Sequence, residues 1–174
     1  MSRTYADYSQ PLWRRLVVSR EAAMVALLAG LVIWAIGNVV YFGTSLTLTY
    51  LLLDVAPVLL IALPMTMVIV TGEIDLSVAS VVGLSSVVLG DLHRAGMPIL
   101  PAAALALLVG LACGALNGYL VAYVGLPSLA VTIGTLALFR GLAVGLLGTT
   151  AVTDFPKEWT SLATAEVGST GVPL

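Results

Sequence analysis

Apolar runs separated by brief polar or glycine- and proline-bearing breaks fill most of the chain. Four of them approach or exceed the roughly 20 residues that cross a hydrocarbon layer about 30 Å thick. The first span is predicted over 21–42, with Trp34 and Tyr41 toward its far end, where interfacial aromatics are favoured. A secretion signal competes for Arg14 to Gly37, but the apolar stretch exceeds a signal core of about 7–15 residues and reads as a retained span. After a short polar turn over Gly43 to Thr49, a second span is predicted over 50–71. Pro57 and Pro64 interrupt it, and each removes a backbone donor and frees the carbonyl four residues earlier, at Leu53 and Leu60. In lipid such carbonyls need a partner helix, a side chain or water, so this span is expected to face protein or a cavity.

Gly72 can end that helix, and Asp75 can cap the next by accepting from the backbone N–H of Ser77 or Val78. The third element, 76–90, is about 22 Å long at the helical rise, short for a full crossing. A polar loop follows over Asp91 to Pro98, then a fourth span over 99–123 carrying Gly110, Gly114 and Gly118 at four-residue intervals. Small residues so spaced let helix backbones approach closely, and Gly141 and Gly145 repeat the device in the fifth span, 128–148. Gly125-Leu126-Pro127 is the turn between them. The segment 149–174 is rich in Thr, Ser and Gly, with one short helix expected near Pro156 to Ala163, opened by Asp154. The fold class is therefore an all-α polytopic membrane protein of about five transmembrane helices, some broken or kinked.

Composition sharpens this. Of 174 residues, 60% are apolar and 9% charged, against about one-quarter charged in soluble domains. The net charge of −2 and the lack of a basic patch with exposed aromatics argue against nucleic acid as a partner. Arg3, Arg14, Arg15 and Arg20 precede the first span, so residues 1–20 read as a cytoplasmic N-terminal tail and 149–174 as extracytoplasmic. The lone Cys113 reads as a small packing residue, and His93 as a surface residue. The sequence holds no phosphate-binding loop, paired-cysteine metal pattern or nucleophile elbow. No metal or cofactor is expected on this chain, no enzyme activity is expected, and any ATP chemistry must come from a partner subunit.

Asp54, Glu73, Asp75 and Arg140 are the ionisable groups inside or bordering apolar runs, where an unpartnered charge costs upwards of about 2.5 kcal/mol at the helix centre. Arg140 lies about 12 Å from the outer end of its span and Asp54 about 6 Å from the outer end of its own. The two could pair between helices or contact a substrate. Glu73 and Asp75 lie about 20 Å from Arg140 on the same reckoning, too far to pair. Glu73 can reach cytoplasmic water or a ligand, and Asn117 can hydrogen-bond a neighbouring helix or a substrate hydroxyl.

These residues carry a resemblance. Ile69-Val70-Thr71-Gly72-Glu73-Ile74-Asp75-Leu76-Ser77-Val78-Ala79-Ser80 resembles the "ITGGIDLSVGS" signature of ribose, xylose and rhamnose type ABC importer permeases. Gly114-Ala115-Leu116-Asn117-Gly118-Tyr119-Leu120-Val121 resembles "GxxNGxLV", and Pro127 through Thr132-Ile133-Gly134-Thr135-Leu136 to Arg140-Gly141 resembles "PxFIxTLGTLxxxRG". Order and spacing agree from about Tyr50 to Gly148. Glu73 stands where Gly is commoner, Ala79 where Gly is frequent, and Ser128-Leu129 in place of the usual pair; the Glu-Ile-Asp and Pro-Ser-Leu-Ala variants look most like the rhamnose branch.

The resemblance implies the bacterial inner membrane and a permease that forms the path for a monosaccharide. Implied partners are a second permease subunit, cytoplasmic ATPase subunits that bind ATP, and an extracytoplasmic sugar-binding protein, all within membrane lipid. Family members are about twice this length, and the later block resembling the ATPase-coupling loop is missing, so the chain is expected to be the N-terminal half of a longer permease. Pro57, Pro64 and the Gly72 break are the candidates for the hydrogen-bonding groups that an uncharged sugar requires. Two other classes remain open: a proton-coupled secondary transporter using Asp54, Glu73 and Asp75, and a structural membrane subunit with no path of its own.

Overall fold

The computed structural model describes residues 19–163, and every element among them is a helix. In chain order these are α1 (Arg20–Asn38), α2 (Ser45–Val70), α3 (Val78–Arg94), α4 (Ile99–Ala122), α5 (Ser128–Leu147) and α6 (Lys157–Ala163). Arg3, Arg14, Arg15 and most of the N-terminal tail lie outside the described residues, as does the stretch after Ala163. Among the described residues, four helices are long and apolar enough to cross a membrane: α1, α2, α4 and α5. Helix α3 is not a fifth, because its 17 residues span only about 25 Å.

The chain divides into two compact units, one ending at Tyr50 and one beginning at Leu51. In the first, Ser19 caps α1 by accepting from the Ala22 N–H at 3.1 Å. The helix ends at Asn38, earlier than expected, because Val39 is already extended (φ −106°, ψ 122°); beyond it Tyr41 adopts a left-handed backbone conformation (φ 67°). Its carbonyl then accepts from the hydroxyls of Thr44 at 2.6 Å and Thr47 at 2.8 Å. This satisfaction of the threonines lets α2 begin at Ser45, so the polar turn lies ahead of the predicted 43–49.

In the second unit α3 packs against both α4 and α5, which touch each other less. Leu84, Cys113 and Phe139, one from each helix, form the core, flanked by Val81, Val88, Val109 and Ala143. Cys113 is thus the packing residue expected. Of the predicted packing glycines, Gly110 lies against a neighbouring helix: a Cβ there would sit 3.3 Å from Ser85 Oγ on α3. The other four glycines of the predicted packing stripes behave differently. At Gly114, Gly118, Gly141 and Gly145 a Cβ would meet nothing within 4 Å, so within this chain they open space rather than seat a helix.

At the far end of α3, which runs to Arg94 rather than 90, Arg94 pairs with Asp91 at 2.8 Å and donates to Thr150 Oγ1 at 3.0 Å. His93 stacks on Phe155 with ring centroids 5.9 Å apart and is half-buried, not the surface residue expected. Gly90 lies under Val152 so tightly that a Cβ would approach to 3.1 Å. Asp154 does not open α6; Pro156 supplies the first carbonyls, to the N–H groups of Trp159 and Thr160 at 3.0 and 3.1 Å.

Candidate functional site

The break between α2 and α3 is the best-tied irregular segment of the chain. Gly72 ends α2 with φ +82°, a conformation that glycine adopts without steric cost. Residues 73–77 then form an irregular segment that ends at Ser77, the residue preceding α3. Asp75 does not cap the helix from the capping position, which belongs to Ser77. Instead its Oδ1 accepts from both the Ser77 N–H at 2.8 Å and the Ser77 hydroxyl at 2.7 Å, a local Asx turn. The predicted acceptor role toward Ser77 is present, but two residues before the helix, so α3 starts at Val78 rather than Leu76.

Both neighbouring helices reach this segment. From α4, Asn117 donates through Nδ2 to Ser77 Oγ at 2.8 Å; Asn117 is buried and Ser77 is 0% exposed. From α5, Ser128 Oγ accepts from the Ile74 N–H at 3.2 Å, and the Thr132 hydroxyl lies 3.2 Å from the Ile74 carbonyl and 2.8 Å from that of Ser128. Unpaired backbone groups are not tolerated at membrane depth unless protein or water satisfies them, and these side chains supply that satisfaction. Among buried side-chain polar atoms of the described residues, Asn117 Oδ1 alone has no hydrogen-bond partner.

Beside the break lies a cavity of about 240 Å³, walled by Glu73, Ile74 and Asp75, by Thr71 at the end of α2, by Asn117 with Gly114 and Gly118 on α4, and by Ser128 and Thr132 on α5. The two open glycines therefore widen this cavity. Three of the sequence candidates, Glu73, Asp75 and Asn117, come together here. Pro57 and Pro64 are exposed on α2, which stays one helix through both.

The structure does not join Asp54 to Arg140. Asp54 is exposed on α2, and the one salt bridge among the described residues is Arg94–Asp91. Arg140 instead lines a different cavity, between α3 and α5. Ser77, Ser128 and Thr132 complete the site without having been candidates as side chains. Each meets a partner 40 to 58 residues away, and only the polar character of Ser128 and Thr132 within an apolar helix marks them in the sequence.

Helices long and apolar enough to cross a membrane, with a polar, bridged break between α2 and α3, fit an integral membrane protein. The chain belongs to the family described as branched-chain amino acid transport system / permease component, which matches residues 47–169. It is similar to the autoinducer 2 import system permease protein LsrD of Klebsiella pneumoniae, 35% identical over 173 residues, covering 92% of this chain and 50% of that protein. The protein of the same name from Yersinia enterocolitica is 40% identical over 143 residues, covering 79% and 41%. That from Photorhabdus luminescens is 41% identical over 121 residues, covering 66% and 36%. The chain spans about half the length, or less, of these relatives. They are transport permeases and not enzymes. No solved structure gives a significant match.

Proposed function

We propose that this chain forms part of the translocation path of an ATP-driven importer for a small, oxygen-rich cargo. The observation that carries the reading is the Gly72–Ser77 break, held open by Asn117, Ser128 and Thr132 beside a cavity that offers hydrogen-bonding groups. Broken helices of this kind supply polar groups at membrane depth without exposing them to lipid. The relatives named above are import permeases for autoinducer 2, so that cargo is the first to test, ahead of rhamnose or another monosaccharide.

In this reading residues 1–20 are cytoplasmic, 149–174 extracytoplasmic, and the bacterial inner membrane holds the bundle. ATP binds to separate cytoplasmic ATPase subunits, a second permease subunit completes the path, and an external binding protein delivers the cargo. Glu73 and Asp75 on one cavity wall favour a second reading, a proton-coupled transporter. Reconstitution of the assembled permease with ATPases and binding protein in liposomes separates the two. Accumulation of autoinducer 2 that requires ATP and survives a protonophore supports the importer; uptake that follows the proton gradient without ATP establishes the second reading instead.

A further inference from the structure

Three separate cavities each take part of their wall from α5: one at the break, one between α5 and α3, and one where the end of α5 meets α3 and the segment that follows α5. The first, at the break, brings Asp75 near Thr132; the second, about 330 Å³, brings Ala79, Ser80 and Gly83 near Leu136, Arg140 and Val144; the third, about 310 Å³, brings Ser86 near Leu147. Thr132, Leu136 and Arg140 are spaced by four residues and so share one face of α5. Helix α5 thus gives Thr132 to the cavity at the break, and Leu136 and Arg140 to the middle one.

Arg140 is the one charged residue in the wall of the middle cavity, and Ser80 is the one other side chain there with a polar group. The Ser80 hydroxyl proton is committed to the Ser77 carbonyl at 2.6 Å, which leaves its oxygen free to accept. Arg140 makes no side-chain hydrogen bond or ion pair among the described residues. It sits about 10 Å from the end of α5, where a guanidinium facing hydrocarbon alone is strongly disfavoured. The cavity lies at the small end of the roughly 300–1,000 Å³ range of small-molecule sites, and Ala79 and Gly83 keep it open.

We infer that the middle cavity is a cargo subsite in which the Arg140 fork donates to two adjacent oxygens of a small neutral, hydroxyl-bearing ligand, while Ser80 accepts from a third group. This rests on the transport reading above. A planar guanidinium meets paired oxygens in a way that a lysine ammonium does not.

Uptake by the full assembled importer in liposomes tests it, with wild type, Arg140→Lys, Arg140→Gln, Gly83→Leu and, as a control on an exposed face, Leu142→Ala. Arg140→Lys is expected to raise KM at least about tenfold, the loss that follows when a two-point contact becomes a point charge. Gly83→Leu is expected to block uptake while the complex still assembles, since a Cβ at Gly83 meets nothing within 4 Å. Leu142→Ala keeps wild-type uptake. Lysine activity at the wild-type level with glutamine inactive would show that charge alone matters and overturn the neutral-ligand subsite. Wild-type KM in both Arg140→Lys and Gly83→Leu would overturn the subsite and leave the importer reading standing. Failure of both Arg140 variants to assemble, with Gly83→Leu transporting normally, would make Arg140 a structural residue and overturn it as well. Absence of ATP-driven uptake by wild type removes both readings.

Discussion

The Asn117 amide on α4 and the Ser77 hydroxyl ahead of α3 are 2.8 Å apart across 40 residues of sequence, and both side chains are buried. Ser77 passes its own proton to Asp75 Oδ1 at 2.7 Å, so one chain of hydrogen bonds runs from helix α4 into the break. Such chains polarise one another and are best apportioned by paired substitutions.

Asn117→Ala is therefore expected to destabilise the detergent-solubilised protein by about 0.6 kcal/mol, the average for hydrogen bonds between membrane helices, and by no more than about 1.7 kcal/mol. Ser77→Ala removes links to both Asn117 and Asp75 and is expected to cost more. Thermal unfolding of the two single variants and the double variant checks this. The double variant should lose less than the sum; strict additivity would mean that the two residues do not act as one network.

Much of the helix layout is legible in the sequence, because hydropathy alone marks α1, α2, α4 and α5. Boundaries that depend on local hydrogen bonding are less so. The end of α1 turns on the extended Val39, and the start of α3 turns on an Asx turn that looks in sequence like a cap. At the site, Glu73, Asp75 and Asn117 are readable as polar residues in or beside apolar runs. Ser128 and Thr132 show in the sequence only as polar residues in an apolar helix; what makes them matter is a contact with Ile74, 54 and 58 residues away. Depth along the membrane normal, which allows Asp54 to pair with Arg140, says nothing of the angle around each helix; Arg140 lines the cavity beside α3 instead.

The glycines divide into two groups with opposite expected outcomes. Gly110→Leu should be strongly destabilising, since even a Cβ lies 3.3 Å from Ser85 Oγ on the packed helix. Gly114→Ala should be neutral or stabilising by up to about 1 kcal/mol, the helix-propensity difference, as nothing lies within 4 Å of the new methyl. Yield and melting temperature in detergent compare them; equal damage at both positions would contradict the packing described.

At Gly72, with φ +82°, an alanine is expected to cost about 1–2 kcal/mol, because a Cβ opposes the left-handed conformation. Open space around the position rules out a clash as the cause. Asparagine, which tolerates that region better, should recover part of the loss in the same melting assay. Equal melting of wild type and Gly72→Ala would mean that the break relaxes to another conformation.

Cys113 is 7% exposed in the core between α3, α4 and α5. N-ethylmaleimide should leave it unlabelled in the folded protein and label it after denaturation, as mass spectrometry would show. Rapid labelling of the native protein would contradict the core as described.

The claim that the Gly72–Ser77 break borders the cargo path is tested most directly by thiol protection. Glu73→Cys in a Cys113→Ala background, assembled with its partners, is treated with a charged, membrane-impermeant reagent with and without saturating cargo. The account predicts that Cys at this position is labelled through water in the cavity and that cargo slows the labelling. A cysteine that is inert, or labelled at the same rate whether or not cargo is present, would contradict it.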